Sequence, residues 1–339
     1  RYLLDSRAQM SKVKLKNSGR VYEIMGDQSI LDAALDAGLI LEHGCKTGRC
    51  GSCKSRLVSG KTKLIHKELC LSKAELDHGW FLSCARAPID GDIEIIAEDL
   101  SEYPIQKPQT FPCKIDDLKH LSDDVLRVSL RLPPGRKFSY RAGQHVDITA
   151  AGGLTRSYSL ARGYSSGGAL ELHIRKVEAG LMSNYWFKEA KKGDLLRIYG
   201  PKGTFFLRGA DDLDLIFLAT GTGIAPVRAM LEDLAGSNAE KPRSVSIYWG
   251  GRLVQDLYLE KSEFMGYGKY FPTLSREGVS WEGHREYVQN LALMHEITVS
   301  RARVYACGSS TMITDAQLRF AEIGLQPEHF IFDAFVPSS

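Results

Sequence analysis

Hydrophobic and polar positions divide the chain into three stretches with different periods. In the first, Val13 to Leu15 and Val21 to Ile24 alternate apolar and polar side chains, which predicts a hairpin. Ser29 to Ala37 carries its apolar residues at helical spacing, and Asp92 to Ile96 reads as a closing strand. In the second stretch, Val125 to Leu132, Gln144 to Ile148, Glu171 to Val177 and Leu195 to Tyr199 are short apolar or alternating runs bounded by Gly and Pro, as in a small antiparallel barrel. In the third, buried-strand runs at Leu213 to Leu218, Ser244 to Trp249, Arg303 to Ala306 and His329 to Phe332 are interleaved with helical patterns at Pro226 to Leu234 and Thr311 to Ile323. That βαβ alternation predicts an open parallel sheet. The expected class is multidomain α+β and α/β. The boundaries are 11–103, 109–208 and 211–339, with a proline-marked linker at Tyr103 to Pro108. Met10 reads as a start, which makes residues 1–10 a leader or an artificial extension.

Composition narrows the function class. The 339 residues are 43% hydrophobic and 25% charged, with a net charge of +3. Those values fit a globular protein and give no argument for nucleic-acid or membrane-surface binding. No apolar run reaches membrane-spanning length. Seven cysteines with metal-type spacing fit a reducing compartment, so the expected location is cytoplasmic.

Cys45, Cys50 and Cys53 lie in one glycine-rich loop, and Cys84 follows in Phe81-Leu82-Ser83-Cys84-Ala85. C-x4-C-x2-C…C is the spacing of a plant-type [2Fe–2S] site. A zinc ribbon would carry a second C-x2-C doublet, which is missing here. Glycines at 44, 48 and 51 let the loop turn sharply and bring N–H groups to the sulfurs. Cys70 and Cys113 read as ordinary small apolar residues.

Two further motifs suggest the electron source. Arg156, Tyr158 and Ser159 in R-S-Y-S offer a cation, an aromatic wall and a hydrogen-bonding group to a flavin. Downstream, Gly180-Leu181-Met182-Ser183 precedes a helix expected over Asn184 to Lys188, with Ser183 as its N-cap and the helix start as a phosphate site. Gly221-Thr222-Gly223 follows an apolar strand and opens the helix that contains Pro226, suiting a nicotinamide nucleotide. Cys307 and Gly308 end a later strand, where ligands of open sheets bind. Cys307 is therefore a candidate neighbour of the nicotinamide rather than a nucleophile.

Together these motifs resemble the ferredoxin–NAD(P)H reductase superfamily with an N-terminal plant-type ferredoxin domain. The resemblance implies a β-grasp ferredoxin domain, an FAD-binding barrel and a Rossmann-like NAD domain. It implies that Cys45, Cys50, Cys53 and Cys84 hold the cluster and that Arg156, Tyr158 and Ser159 bind FAD, with Ser159 near N5. His173, Arg175 and Val177 would line the flavin, and Gly180, Met182 and Ser183 its pyrophosphate. Gly221, Thr222, Gly223 and Pro226 would hold NADH in preference to NADPH, because only Arg252 follows the strand ending at Gly251. Cys307, Gly308 and Asp333 would border the hydride-transfer position, with Phe335 shielding the flavin; Asp333 stands where many relatives carry Glu. Ser159, Cys307 and Asp333 are thus the catalytic candidates.

Leu130-Arg131-Leu132-Pro133-Pro134, Ile247-Tyr248-Trp249-Gly250, Tyr305-Ala306-Cys307-Gly308-Ser309 and Asp333-Ala334-Phe335-Val336-Pro337-Ser338 are similar to the CDP-6-deoxy-Δ3,4-glucoseen reductases of 3,6-dideoxyhexose and lipopolysaccharide sugar synthesis. That likeness implies electron flow from NADH through FAD and the cluster to a pyridoxamine-phosphate-dependent dehydrase. A reductase for a ring-hydroxylating dioxygenase or other oxygenase shares every motif. A non-enzymatic redox-sensing module would need only some of them.

Overall fold

The computed structural model describes residues 10–164, 170–237, 241–277, 281–295 and 298–336. Residues 1–9 of the expected extension, and Pro337 and Ser338 of the last motif, lie outside that range. The chain divides into two compact units between Ile105 and Gln106, within the expected linker.

The first unit is a mixed sheet with a helix packed on it. Strands β1 (Met10–Leu15) and β2 (Val21–Met25) form the expected hairpin. Helix α1 (Ile30–Asp36) follows, capped by Ser29, whose Oγ accepts from Asp32 N at 2.9 Å. The remaining elements are β3 (Lys54–Ser59), β4 (Thr62–Leu64), α2 (Lys73–Asp77), β5 (Trp80–Leu82), β6 (Arg86–Pro88) and β7 (Ile93–Ile96). The main sheet runs β2-β1-β7-β3-β5, with β7 parallel to β1, and β4 pairs with β6. Ile30, Leu31, Ala33 and Ala34 bury one helix face against Val13, Leu15, Phe81 and Ile95, which is a β-grasp core.

The second unit holds two sheets. Strands β8 (Gln109–Ser122), β9 (Val125–Arg131), β10 (His145–Thr149), β11 (Thr155–Ser159), β12 (Leu170–Arg175) and β13 (Leu195–Lys202) form an antiparallel sheet in the order β11-β10-β13-β8-β9-β12. A bridge between Leu160 and Leu172 joins its two edges and closes the barrel. Helix α3 (Leu181–Asn184) is short and runs into one π-turn, Tyr185–Glu189. The N-cap is Gly180, not Ser183; Ser183 lies inside the first turn and its Oγ accepts from Val177 N at 2.8 Å. A serine engaged with the preceding backbone cannot also cap the helix.

The second sheet comprises β14 (Asp214–Thr220), β15 (Ser244–Gly251), β16 (Lys269–Leu274), β17 (Ala302–Ser309) and β18 (Phe330–Phe335), all parallel, in the order β16-β15-β14-β17-β18. Helices α4 (Ile224–Gly236), α5 (Val288–His295) and α6 (Ser310–Glu322) complete it. The order reverses at β14, so the carboxyl ends of β14 and β17 flank the crevice where such sheets bind ligands.

Candidate functional site

The cluster loop brings its four cysteines together as two pairs. The Cys50 thiol contacts Cys45, and the Cys53 thiol contacts Cys84. Backbone N–H groups of Thr47 and Cys50 point at Cys45 Sγ from 3.3 and 3.4 Å, and Cys45 N points at Cys50 Sγ from 3.3 Å. The Cys50 thiol and these N–H donors hold Cys45 down at about 4, while Cys50 is pushed up by its bond to Cys45 and by burial. Cys53 is raised and Cys84 lowered in the same way. A single tetrahedral zinc draws all its thiolates to one point, whereas two sulfide-bridged irons take two thiolates each, as the two cysteine pairs do. The donor set therefore fits a [2Fe–2S] cluster.

Several residues outside the cysteine motif fix this loop. Gly48 has φ +72°, and a Cβ there would lie 2.0 Å from the Lys67 carbonyl oxygen, so the segment around residue 67 packs directly on the loop. His66 Nε2 donates to the Cys84 carbonyl, and Glu68 accepts from Leu82 N at 2.7 Å and from Arg86. Cys70 is in the same segment, its thiol 3.9 Å from Gly48 O, while Cys113 is buried in the barrel core. No motif marks His66 or Glu68 as supports, because their partners, the Cys84 carbonyl, the Leu82 N–H and the Arg86 side chain, are brought in by the fold.

On the barrel, Arg156, Tyr158 and Ser159 lie along β11. Burial pushes the Tyr158 hydroxyl up to about 12, and it accepts from Trp186 Nε1 at 2.9 Å. The Ser159 hydroxyl is buried with no hydrogen-bond partner in the protein. A buried orphan hydroxyl costs free energy unless a ligand completes it, so this position fits a flavin. Arg156 is half-buried and donates to the Thr155 carbonyl at 2.7 Å. Val177 is exposed, whereas Met182 is packed into the barrel core. His173 has both ring nitrogens engaged, by Glu171 and Tyr258 at 3.0 Å each. Arg175 is bound to Asp124 and Asp256.

The crevice at the carboxyl ends of β14 and β17 is a cavity of about 1110 Å³ lined by Arg175, Gly221, Thr222, Ser309 and Phe335, among others. Gly223 begins α4 with ordinary helical dihedrals, yet a Cβ there would sit 2.2 Å from the Cys307 carbonyl oxygen. A Cβ on Gly308 would likewise meet Thr220 Oγ1 at 2.1 Å. These glycines hold the ends of β14 and β17 together, and Pro226 is buried in the first turn of α4. Cys307 and Asp333 are register partners on β17 and β18. Burial and then the Asp333 charge hold the Cys307 thiol far above its usual range. A neutral, fully buried thiol fits an apolar wall rather than a nucleophile. Trp249, which the sequence places in a strand and a family-like segment without a site role, donates from Nε1 to Gly221 O at 2.9 Å and fixes the glycine turn. Ser275 and Arg276, also missed, line the same cavity as Arg252.

Three families match in sequence order. They are the 2Fe-2S iron-sulfur cluster binding domain over residues 13–88, the oxidoreductase FAD-binding domain over 112–207 and the oxidoreductase NAD-binding domain over 217–318. The CDP-6-deoxy-L-threo-D-glycero-4-hexulose-3-dehydrase reductase of Yersinia pestis is 41% identical over 96% of this chain and 98% of its own. The chain belongs to the iron–sulfur flavoprotein reductases of the ferredoxin–NAD(P)H reductase superfamily. Reductase component 1 of the terephthalate 1,2-dioxygenase of Comamonas is 29% identical over 96% of this chain and 98% of its own. Among solved structures, the cytochrome P450 reductase GcoB of Amycolatopsis matches with a TM-score of 0.74 and 25% identity, over 97% of this chain and 100% of its own. The reductase therefore carries domains for NAD(H), FAD and a [2Fe–2S] cluster, and its partner class is an electron-accepting enzyme. Among the described residues no helix is long and apolar enough to cross a membrane.

Proposed function

We propose that this reductase takes hydride from NADH at the crevice between β14 and β17 and delivers single electrons to the pyridoxamine-phosphate-dependent dehydrase of CDP-6-deoxyhexose metabolism. The observation that carries the acceptor is the identity of 41% to a dehydrase reductase, against 29% to a dioxygenase reductase over the same share of the chain. FAD and the cluster, when bound, supply the conversion of one two-electron donation into one-electron transfers. The chain's own residues supply position.

In this reading Cys45, Cys50, Cys53 and Cys84 ligate the irons, and their N–H donors offset the anionic charge of the sulfurs. Arg156 faces the flavin phosphate, and Tyr158 supports the ring from the side held by Trp186. Ser159 offers its unpartnered hydroxyl to the flavin. Gly221, Thr222 and Gly223 shape the turn that receives the nucleotide, and Cys307 with Gly308 forms the wall behind the nicotinamide. Asp333 stands beside that wall and Phe335 borders the cavity. The three functional segments run 11–103, 109–208 and 211–339, and the protein works in the cytoplasm.

The test is anaerobic turnover with the purified dehydrase and, separately, with dioxygenase components. Preferential reduction of the dehydrase supports the proposal, and preferential reduction of an oxygenase moves the chain to the second reading. Comparing kcat/KM for NADH and NADPH tests the donor, with Arg252 and Arg276 as the cationic groups that a 2′-phosphate would engage.

A further inference from the structure

The outer face of β12 carries an unusual set of side chains. Leu170, Leu172 and Ile174 point into the barrel core, so by strand alternation Glu171, His173 and Arg175 share the opposite face. All three engage residues that follow β14 or β15. Glu171 accepts from Arg228 of α4 at 2.9 Å. His173 contacts the Tyr258 hydroxyl at 3.0 Å. Arg175 binds Asp256, which also accepts from Arg252 N at 2.6 Å and Leu253 N at 3.1 Å.

The contacts continue to the nucleotide turn. With Glu171 acting only as acceptor, His173 Nε2 donates to it and neutral Nδ1 accepts from Tyr258 O–H. The Tyr258 ring meets Trp249 edge-on, with centroids 5.3 Å apart. Trp249 Nε1 in turn donates to Gly221 O at 2.9 Å. A Cβ on Gly221 would lie 3.0 Å from Arg175 Nη1, so the end of β12 also touches the turn directly. Arg228 reaches across as well, donating to the barrel carbonyl of Ala161 at 3.2 Å and pairing with Glu263 at 2.9 Å.

We propose that Glu171, His173 and Arg175 form a registration rail that sets the Gly221 turn, and with it the nicotinamide nucleotide, at a fixed distance from the barrel. On this account His173 and Tyr258 are positioning residues acting through Trp249, and the His173 side chain does not wall the flavin. The inference rests on the reading that the nucleotide sits at Gly221. Its physical basis is the steep dependence of transfer on approach: about 1 Å of misplacement costs roughly a hundredfold in rate. Hydrogen bonds buried at a lobe boundary are suited to such control, because their geometry is narrow and an unpaired member is costly.

The experiment uses the FAD- and cluster-loaded protein. Tyr258→Phe removes one oxygen and keeps the ring against Trp249; His173→Phe removes both hydrogen bonds of the imidazole. Stopped-flow reduction of the flavin by NADH and by (4-²H)NADH gives the rate and its isotope effect. The long-wavelength charge-transfer absorption of the nicotinamide–flavin complex reports their stacking. The expected result is a flavin-reduction rate lowered roughly 3- to 10-fold in Tyr258→Phe and roughly 10- to 100-fold in His173→Phe. NADH affinity should stay within about threefold, FAD content should be unchanged, and the isotope effect and charge-transfer band should shift. Two results overturn the proposal: lowered thermal stability with unchanged rate, isotope effect and band, or loss of FAD from His173→Phe. Wild-type protein that takes no electrons from NADH would instead remove the functional reading itself, and the two failures are thereby distinguished.

Discussion

Gly223→Ala is the sharpest single perturbation of the nucleotide crevice. Gly223 has φ −60° and ψ −14°, values that alanine adopts freely, so backbone strain contributes nothing. The added methyl would lie 2.2 Å from Cys307 O, 2.6 Å from Cys307 C and 3.0 Å from Gly308 N. All three are backbone atoms of a central strand and cannot swing aside. Restoring ordinary contact requires the Gly221 turn and the end of β17 to separate by about 1 Å. Overpacking of this kind costs about 1–3 kcal/mol of stability, or several degrees in the melting temperature. With the nicotinamide at the proposed position, the same displacement moves it and is expected to lower flavin reduction by roughly a hundredfold. The assay is anaerobic stopped-flow reduction at saturating NADH, beside a thermal melt and an FAD count. A variant that reduces its flavin within twofold of the wild-type rate would show that the turn does not depend on this close approach.

Two further outcomes follow from the electrostatics. In cluster-free protein, iodoacetamide at neutral pH should alkylate Cys45 first, since its thiol is held down to about 4 and is partly exposed, while buried Cys307 stays unmodified until the protein unfolds; peptide mass spectrometry reads the order. Burial alone would raise Glu171, but the His173 hydrogen bond and the Arg228 charge reverse this and hold its carboxyl below the usual carboxylate range. Its contribution to stability is therefore complete above the unfolded value of about 4.3 and is lost as pH falls through the lower folded value. The stability difference between the wild type and Glu171→Gln should be constant above about pH 5.5 and shrink under acid, as followed by denaturant melts.

The parts of the fold visible in the sequence are those with a strong period. The hairpin β1–β2, helix α1 and the parallel strands β14, β15 and β17 each carry uninterrupted apolar patterns. Strand β8 was not visible, because much of it is exposed and its register shifts twice, so no alternation survives. Strand β16 contains Pro272, which argues against a central strand; it is the sheet edge, where a missing N–H is tolerated. Helix α5, described over Val288–His295, interrupts its apolar positions with Gln289 and Asn290, so its period does not stand out.

The candidate site shows the same division. Cysteine spacing identified the cluster, and the structure added the two-and-two grouping of the sulfurs. The glycines of the nucleotide turn looked suited to a phosphate, yet Gly223 is required by the approach of Cys307. The resemblance places His173 and Arg175 along the flavin, and in the structure their side chains bind Tyr258 and Asp256. These partners lie more than eighty residues away, and no local pattern encodes that pairing.

In the proposed function electrons enter from a nicotinamide and leave through the cysteine loop. Anaerobic titration with NADH of protein fully loaded with FAD and cluster tests it directly, with flavin absorbance and the paramagnetism of the reduced cluster followed together. A two-electron flavin and a one-electron cluster in one chain predict an endpoint of about 1.5 equivalents of NADH, falling to about 1 in a Cys50→Ser variant that lacks the cluster. An endpoint of about 1 equivalent in the wild type, with the cluster still oxidised, would mean that the cluster is not the exit for electrons from NADH.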